Sequence, residues 1–173
     1  NSYVLWECAN QMYADKAARR VFDSREVCAM PEEFLRKYLV EYKVALQPNK
    51  QPLIWKKLCE TIEEKLDGDI RNLYAANAYS VKKIKDYINE NKKDFPYLGG
   101  NKICNYWLYV MEQYTDVQFN DRENISVAPD THVIQASQRL GVISEEEMYL
   151  ANVQQIVAER WAELLKGTEL TPI

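Results

Sequence analysis

The chain has 173 residues and a formal net charge of −4 at pH 7, with 47% hydrophobic and 28% charged residues. This length and composition are typical of a soluble globular protein with one domain, or with two small lobes that share a core and have a cleft between them. No run of about 18 apolar residues is present, so we predict no membrane-spanning helix. The negative net charge argues against a generally basic, nucleic-acid-binding surface, so any such surface must be local.

The cysteines and the start of the chain bear on its location. Four cysteines are present without a CxxC pair, a pattern that does not suggest a zinc site or an iron–sulfur cluster. We expect reduced thiols in a reducing compartment, with a disulfide as the less favoured alternative. The chain opens on Asn1, with no basic and then apolar leader, so we expect no secretion signal and an intracellular protein. Because Asn1 is not methionine, it stays open whether residues 1 and 173 are the natural ends of the chain.

Helical spacing of apolar residues recurs along the chain, whereas alternating strand patterns and internal repeats are absent. We therefore predict an all-α fold with many helices of about 8–15 residues joined by short turns. The predicted helices cover residues 3–22, 31–42, 53–66, 81–91, 103–114, 130–140 and a segment that starts at 144, with a short helix or turn in 70–79. Residues 46–52, which include two prolines, are predicted as a break, and residues 115–128 as an irregular connection.

Side chains that cap helices mark three of the predicted starts. Ser80 and Asp130 each precede a helical pattern and are residue types that accept hydrogen bonds from free backbone N–H groups. Ser144 is followed three residues later by Glu147, which is the pattern of a capping box. An aspartate at this position is commonly structural, so Asp130 alone indicates little about function.

Gly99 and Gly100 stand just before Lys102, at the predicted turn into the helix of residues 103–114. A glycine pair before a helix leaves backbone N–H groups free to face an anion, and the helix N-terminus adds partial positive charge. From composition alone, the favoured interpretation is a solvated lysine beside an ordinary interhelical turn.

The glycine–lysine turn before residue 103 and the segment around Asp130 together resemble the helix-hairpin-helix (HhH-GPD) DNA glycosylase superfamily. The family hairpin runs leucine, proline, glycine, a hydrophobic residue, glycine, any residue and lysine. Here the segment 96–102, PYLGGNK, keeps the second glycine and the lysine, but has Leu98 where the first glycine is expected. The segment 129–133, PDTHV, is similar to the family's valine-aspartate-threonine-histidine stretch. Lys102 and Asp130 are 28 positions apart, several more than is usual in the family, and we place the excess within residues 116–126.

The resemblance implies a multi-helix HhH-GPD-like fold over residues 1–173, with the helix-hairpin-helix near residues 81–114. It implies a DNA glycosylase with apurinic/apyrimidinic lyase activity, in which Lys102 is the nucleophile and Asp130 its electrostatic partner. The implied partner is double-stranded DNA with a damaged base, and the absent cysteine cluster makes 8-oxoguanine the first substrate to consider. No metal or organic cofactor is implied, and we expect a monomer.

The resemblance also names residues that would touch DNA. Gly99, Gly100 and Asn101, with Lys92 and Lys93, would contact the DNA backbone, and Gln11 would fill the gap left by an extruded base. Residues 82–102 hold six lysines against three acidic residues, a local charge of +3 that fits this role. The alternatives are a solvated helix face for the lysines and an exposed helical glutamine for Gln11.

A non-catalytic helical module that binds DNA or protein is the alternative function. The arrangement of Lys102 and Asp130 distinguishes the two hypotheses. If both side chains face one cleft, the enzyme hypothesis gains, whereas separate faces favour the module. His132, the only histidine, has neither metal-ligand partners nor an obvious nucleophile, so we interpret it as a packing or hydrogen-bonding residue behind Asp130.

Overall fold

The computed structural model describes residues 2–168 and 170, with the backbone alone for Ser2. These residues form nine α-helices and no β-strand, which confirms the predicted all-α class. None of the helices in this described part is long and apolar enough to cross a membrane. The α-helices are α1 (Ser2–Ala14), α2 (Ser24–Ala29), α3 (Glu32–Glu41), α4 (Gln51–Lys65), α5 (Arg71–Ala76), α6 (Val81–Glu90), α7 (Asn101–Tyr114), α8 (Thr131–Arg139) and α9 (Val153–Leu164). Short 3₁₀ helices span Ala18–Phe22, Arg122–Asn124 and Glu147–Tyr149.

The chain divides into two compact units. Of the described residues, the first unit takes 2–75 and 93–96, and so holds α1 to α4 and nearly all of α5. The second unit takes 76–92, 97–168 and 170, and so holds α6 to α9. The connection from α6 to α7 therefore contributes a short segment to the first unit.

The first unit is built around a buried apolar cluster. The indole N–H of Trp55 in α4 donates to the carbonyl of Val21 at 2.8 Å, so the polar atom of this large side chain is satisfied beside the cluster. Burial of these side chains is the main favourable contribution to the stability of the unit. The buried members are Met12, Ala18, Val21, Val27, Met30, Leu35, Leu39, Ala45 and Cys59.

The predicted helix over residues 3–22 is wrong in its second half. Helix α1 ends at Ala14, and the carboxylate of Asp15 accepts hydrogen bonds from the N–H groups of Ala17 and Ala18 at 2.7 and 3.0 Å. A side-chain acceptor of this kind offers the backbone an alternative to the next helical turn. The chain continues as a 3₁₀ helix instead, which periodicity alone does not distinguish from α-helix.

In the second unit, α6 is capped from two places. Ser80 accepts from the N–H of Lys83, as the sequence predicted. The carboxylate of Asp121 also accepts from the N–H groups of Val81 and Lys82 and from the hydroxyl of Ser80. Burial raises the pKa of Asp121, but these hydrogen bonds outweigh it and the pKa is lowered. The connection predicted as irregular therefore supplies a second cap to a distant helix.

The predicted capping box at Ser144 forms without the predicted α-helix. The Ser144 hydroxyl accepts from the N–H of Glu147 at 3.2 Å, and a Glu147 carboxylate oxygen accepts from the N–H of Ser144 at 2.8 Å. Only the 3₁₀ turn Glu147–Tyr149 follows, and α9 starts separately at Val153. A capping box fixes the first turn, but it does not guarantee that the helix continues.

All four cysteines lie in the described part of the chain and are free thiols. Cys59 and Cys104 are buried, while Cys8 and Cys28 are half-buried. Burial raises the pKa of Cys59 to about 12 and that of Cys104 to about 11. Thiols of this kind are poor nucleophiles at neutral pH, so these two cysteines are structural.

The end of α3 gives a direct test of backbone strain. Lys43 has a φ of 57° where glycine is usual, and the N–H of Val44 bonds the carbonyl of Leu39 at 2.9 Å, as in a Schellman motif. We expect Lys43→Gly to raise the free energy of unfolding by about 0.5–1 kcal/mol, because a left-handed conformation disfavours any side chain with a Cβ. Chemical denaturation of the two proteins measures the change.

Gly141 provides the matched control, because it occupies the equivalent position after α8 with a φ of 72° and no atom within 4 Å of an added Cβ. Gly141→Ala should lower the free energy of unfolding by about 1 kcal/mol. Changes of the same sign in both variants would contradict the strain argument.

Candidate active site

The turn into α7 is built differently from the prediction. Gly100 is the N-cap residue of α7 and has an extended conformation (φ −95°, ψ 136°), and the left-handed residue of the turn is Tyr97 (φ 70°). A Cβ on Gly99 would lie 3.0 Å from Cγ of Lys92, so this glycine makes room for a lysine stem. The helix starts at Asn101, two residues earlier than predicted, which places Lys102 in its first turn.

Asp130 caps α8, as the sequence predicted. Its Oδ1 accepts from the N–H of His132 at 3.0 Å and from the N–H of Val133 at 3.1 Å. These two bonds hold one carboxylate oxygen at the helix N-terminus. The second oxygen, Oδ2, is therefore free to face a partner from another element.

That partner is Lys102. Its Nζ donates to Oδ2 of Asp130 at 2.8 Å, although the two residues are 28 positions apart. The Lys102 hydrogen bond is the largest of the effects that lower the pKa of Asp130 to about 2, and the N–H of Val133 comes next. The carboxylate is therefore ionised and fixed at neutral pH. Both side chains remain solvated, at 68% exposed for Lys102 and 39% for Asp130, so the pair contributes little to stability.

The pair lies in one cleft of about 740 Å³, within the second unit. The first turn of α7 forms one wall, the segment 126–130 forms another, and residues 151–159 at the start of α9 form a third. On the α9 wall, the amide of Gln155 donates to the carboxylate of Glu159 at 2.8 Å. The lining holds one cation, Lys102, and two carboxylates, Asp130 and Glu159, so the cleft itself is not basic.

A buried amide joins the two segments that carry the pair. Asn105 in α7 is fully buried, and its Nδ2 donates to the carbonyl of Asn101 at 2.8 Å and to the Ser126 hydroxyl at 3.1 Å. Its Oδ1 accepts from the N–H of Ser126 at 3.1 Å. Because Asn101 precedes Lys102 and Ser126 lies four positions before Asp130, this amide links the backbone next to Lys102 with the segment that leads to Asp130.

Asn105 is not among the residues that the sequence analysis singled out. A signal was present, since this asparagine lies between Cys104 and Leu108, both of which are buried on the inner face of α7. A polar side chain on an apolar helix face requires hydrogen-bond partners inside the protein. The sequence does not show which partners these are.

The predicted basic segment is less basic than its composition indicates. Lys85 is half-buried and donates to Asn105 Oδ1 at 3.1 Å and to the carbonyl of Asn124 at 3.2 Å, so its ammonium is directed into the protein. Lys92, which belongs to the second unit, is exposed, and so is Lys93, which belongs to the first. The nearby helix face also exposes Lys82 and Lys83.

The remaining predicted residues are exposed. Gln11 lies on α1 in the first unit and is exposed, so its proposed role as a wedge remains a prediction. The side chain of His132 is exposed and is not packed behind Asp130, although its backbone N–H does bond that carboxylate. Within residues 2–168 and 170, no group of three or more His, Cys, Asp or Glu side chains could hold a metal ion.

A second cavity, of about 420 Å³, lies within the first unit. Its walls are mostly apolar and include Phe22, Trp55 and Ile62. It contains none of the residues predicted for chemistry, and its aspartate, Asp69, is held by Arg71. The cleft that holds Lys102 is therefore the better candidate for an active site.

The Asp130 carboxylate predicts a pH-dependent stability difference. Its folded pKa of about 2 is below the ordinary 3.8, so its contribution is fully present above the ordinary value and is lost as the pH falls towards 2. Asp130→Asn keeps a capping oxygen but loses the charge. We expect wild type to melt above Asp130→Asn at neutral pH, and the gap to close below about pH 4, as measured by thermal denaturation.

Lys102→Met is the matched control, because it removes the largest of the effects that lower the pKa of Asp130. Its melting difference from wild type should close over the same acidic range. A gap that stays constant down to the lowest pH at which the proteins still fold would contradict the ion pair.

Comparisons with known proteins do not add to this geometry. The sequence matches no family model, no curated protein and no solved structure. The candidate active site is therefore defined by the contact of Lys102 with Asp130 and by the cleft that both line.

Proposed function

We propose that the protein is a DNA glycosylase with associated lyase activity, which acts on a damaged base in double-stranded DNA. The observation that carries the proposal is the contact of Lys102 Nζ with the capped carboxylate of Asp130 in a single cleft. An amine beside a fixed, ionised carboxylate is an arrangement suited to nucleophilic attack on a sugar carbon that becomes cationic. The HhH-GPD-like hairpin near residues 81–114 belongs to the same proposal.

The proposed reaction begins with the neutral amine of Lys102 attacking C1′ of the damaged nucleotide. The bond from C1′ to the base breaks, the base leaves with the bonding electrons, and the proton lost by the amine goes to the departing base or to water. Asp130 stabilises the positive charge that develops on the sugar. Opening of the sugar ring then gives a Schiff base, and loss of a C2′ proton expels the 3′ phosphate and cleaves the strand.

The geometry gives each residue a separate part. Asp130, with a pKa of about 2, is a weak base, so its contribution is electrostatic. Lys102 is 68% exposed in the free protein, and DNA seated in the cleft would exclude water from the amine. The cleft volume of about 740 Å³ is within the range of small-molecule sites and can hold one extruded base.

The substrate, the partner and the location are part of the proposal. An oxidised purine, with 8-oxoguanine first, is the substrate to test, because extrusion is easiest at a damaged pair. Double-stranded DNA is the macromolecular partner, with the backbone meeting Gly100 and Asn101 at the α7 N-terminus and the exposed Lys92. A monomeric, intracellular protein is proposed with it, and the four free thiols support that location.

One observation favours the alternative, a non-catalytic binding module. The cleft holds two carboxylates against a single lysine, and the whole chain has a net charge of −4. A cleft of this charge repels phosphate unless the DNA backbone runs along the exposed lysines outside it. A helical module that binds another protein does not need those lysines.

Borohydride trapping tests the proposal. The protein is mixed with duplexes that carry 8-oxoguanine, an oxidised pyrimidine or an abasic site, and borohydride reduces any Schiff base to a stable adduct. We expect an adduct with wild type that is abolished in Lys102→Gln, while the affinity for the duplex is retained. Lys83→Gln, which changes an exposed lysine outside the cleft, is the matched control and should form the adduct as wild type does.

The duplex that gives the fastest adduct identifies the lesion class. Duplex binding without an adduct on any substrate would overturn the lyase and leave either the binding module or a glycosylase without lyase activity. No binding to any duplex would overturn both DNA-related functions and leave a protein-binding module.

A further inference from the structure

Lys85 is a half-buried cation that the proposed chemistry does not use. It lies on the inner side of α6, and burial lowers its pKa. Its Nζ donates to Oδ1 of Asn105 and to the carbonyl of Asn124, both neutral acceptors. Within the described part of the chain, no salt bridge includes Lys85. Because both acceptors are neutral, no ion pair offsets the cost of desolvating this ammonium. Its two hydrogen bonds do fix the positions of the groups that accept them.

What it orients is the side chain of Asn105. The two ends of an asparagine amide have nearly the same shape, and only hydrogen-bond partners decide which end is oxygen. Lys85 can only donate, so the end of Asn105 that meets it must be the acceptor Oδ1. The opposite end is then Nδ2, which donates to the Asn101 carbonyl and to the Ser126 hydroxyl.

We propose that Lys85 is a positioning residue for the Lys102–Asp130 pair and acts through Asn105. This inference rests on the proposed function only for its catalytic consequence. Asn105 ties the backbone before Lys102 to the segment that leads to Asp130. Lys85, together with the Asn101 carbonyl and the N–H of Ser126, holds the amide in the one orientation in which every bond of that tie is made.

The expected consequence follows from the geometry of the pair. Without Lys85, Oδ1 of Asn105 accepts only from the N–H of Ser126, so the buried amide loses one of the four hydrogen bonds that hold it. A buried acceptor that loses a partner weakens the network, and the two segments that the amide joins are then held less closely together. The bond between Lys102 and Asp130 is 2.8 Å long, so a displacement of about 1 Å breaks it, and misplacement on this scale reduces rates by as much as 10²-fold.

The test compares Lys85→Met with Lys83→Met, a change of a neighbouring exposed lysine on the same helix. The first readout is the pKa of Asp130, followed by carbon NMR of its carboxyl group at a temperature well below melting. We expect this pKa to stay at about 2 in Lys83→Met and to rise towards 3.8 in Lys85→Met. A merely structural role for Lys85 would lower the melting temperature without this change.

The second readout is the rate of adduct formation on an abasic duplex at saturating DNA. We expect Lys85→Met to slow the adduct on the order of tenfold with an unchanged dissociation constant, since the Lys85 ammonium is bonded to Asn105 and Asn124 inside the protein. Lys83→Met should retain the wild-type rate.

The outcomes separate this inference from the proposed function. If wild type forms no adduct, the proposed function fails, and the pKa of Asp130 still decides whether Lys85 positions the pair. An Asp130 pKa that does not change in Lys85→Met overturns the inference, whatever the adduct rate.

Ser126→Ala supplies the test if Lys85→Met does not fold, because it removes one acceptor of the Asn105 amide without removing a buried charge. We expect a smaller rise of the Asp130 pKa in this variant. An unchanged value would overturn the proposed link through Asn105.

Discussion

The relation between Lys102 and Asp130 depends on one buried amide. Asn105 donates to the carbonyl of Asn101, which precedes Lys102. It also makes two bonds with Ser126, four positions before Asp130, one to the hydroxyl and one from the backbone N–H. Lys102 lies at the N-terminus of a helix and Asp130 at the end of an extended segment, and the Asn105 amide fixes the position of one relative to the other. Hydrogen bonds inside a buried region are strong when all are made, and an unmade one is costly, so the arrangement has one favoured geometry. The candidate active site takes its precision from this constraint rather than from the exposed ion pair.

Asp130 combines two tasks that are often separate. One oxygen caps α8 and the other meets Lys102, so the carboxylate cannot rotate without losing a bond on each side. Its low pKa keeps it charged, which suits a group that stabilises positive charge and does not suit a proton acceptor. The side chain of Lys102 is largely exposed to water in the free protein. In the proposed reaction, bound DNA must therefore complete the site by removing water from the amine.

The cleft and the surface around it differ in the sign of their charge. The cleft is slightly acidic, whereas Lys92, the exposed lysine of the second unit that is proposed to meet the DNA backbone, lies outside its lining. A duplex whose backbone meets Lys92 would present only the damaged nucleotide to the cleft, where a phosphate is disfavoured and a developing cation is favoured. Lys85 is directed inward and bonds Asn105, so it does not contribute to the positive charge of the surface. A count of lysines along the sequence therefore overstates the charge available to DNA.

The amino-acid pattern alone predicts the all-α class, the positions of α6, α7 and α8 to within about two residues, and the capping role of Asp130. These features depend on apolar spacing and on hydrogen bonds that reach three or four residues along the chain, so a linear pattern contains them. The other features depend on tertiary packing. Asp121 caps a helix 40 positions away, and Lys102 meets a carboxylate 28 positions away. Lys85 points inward, and Tyr97 has the left-handed conformation of its turn. Each of these depends on which distant segments meet, and that is fixed by the packing of a whole unit rather than by local spacing.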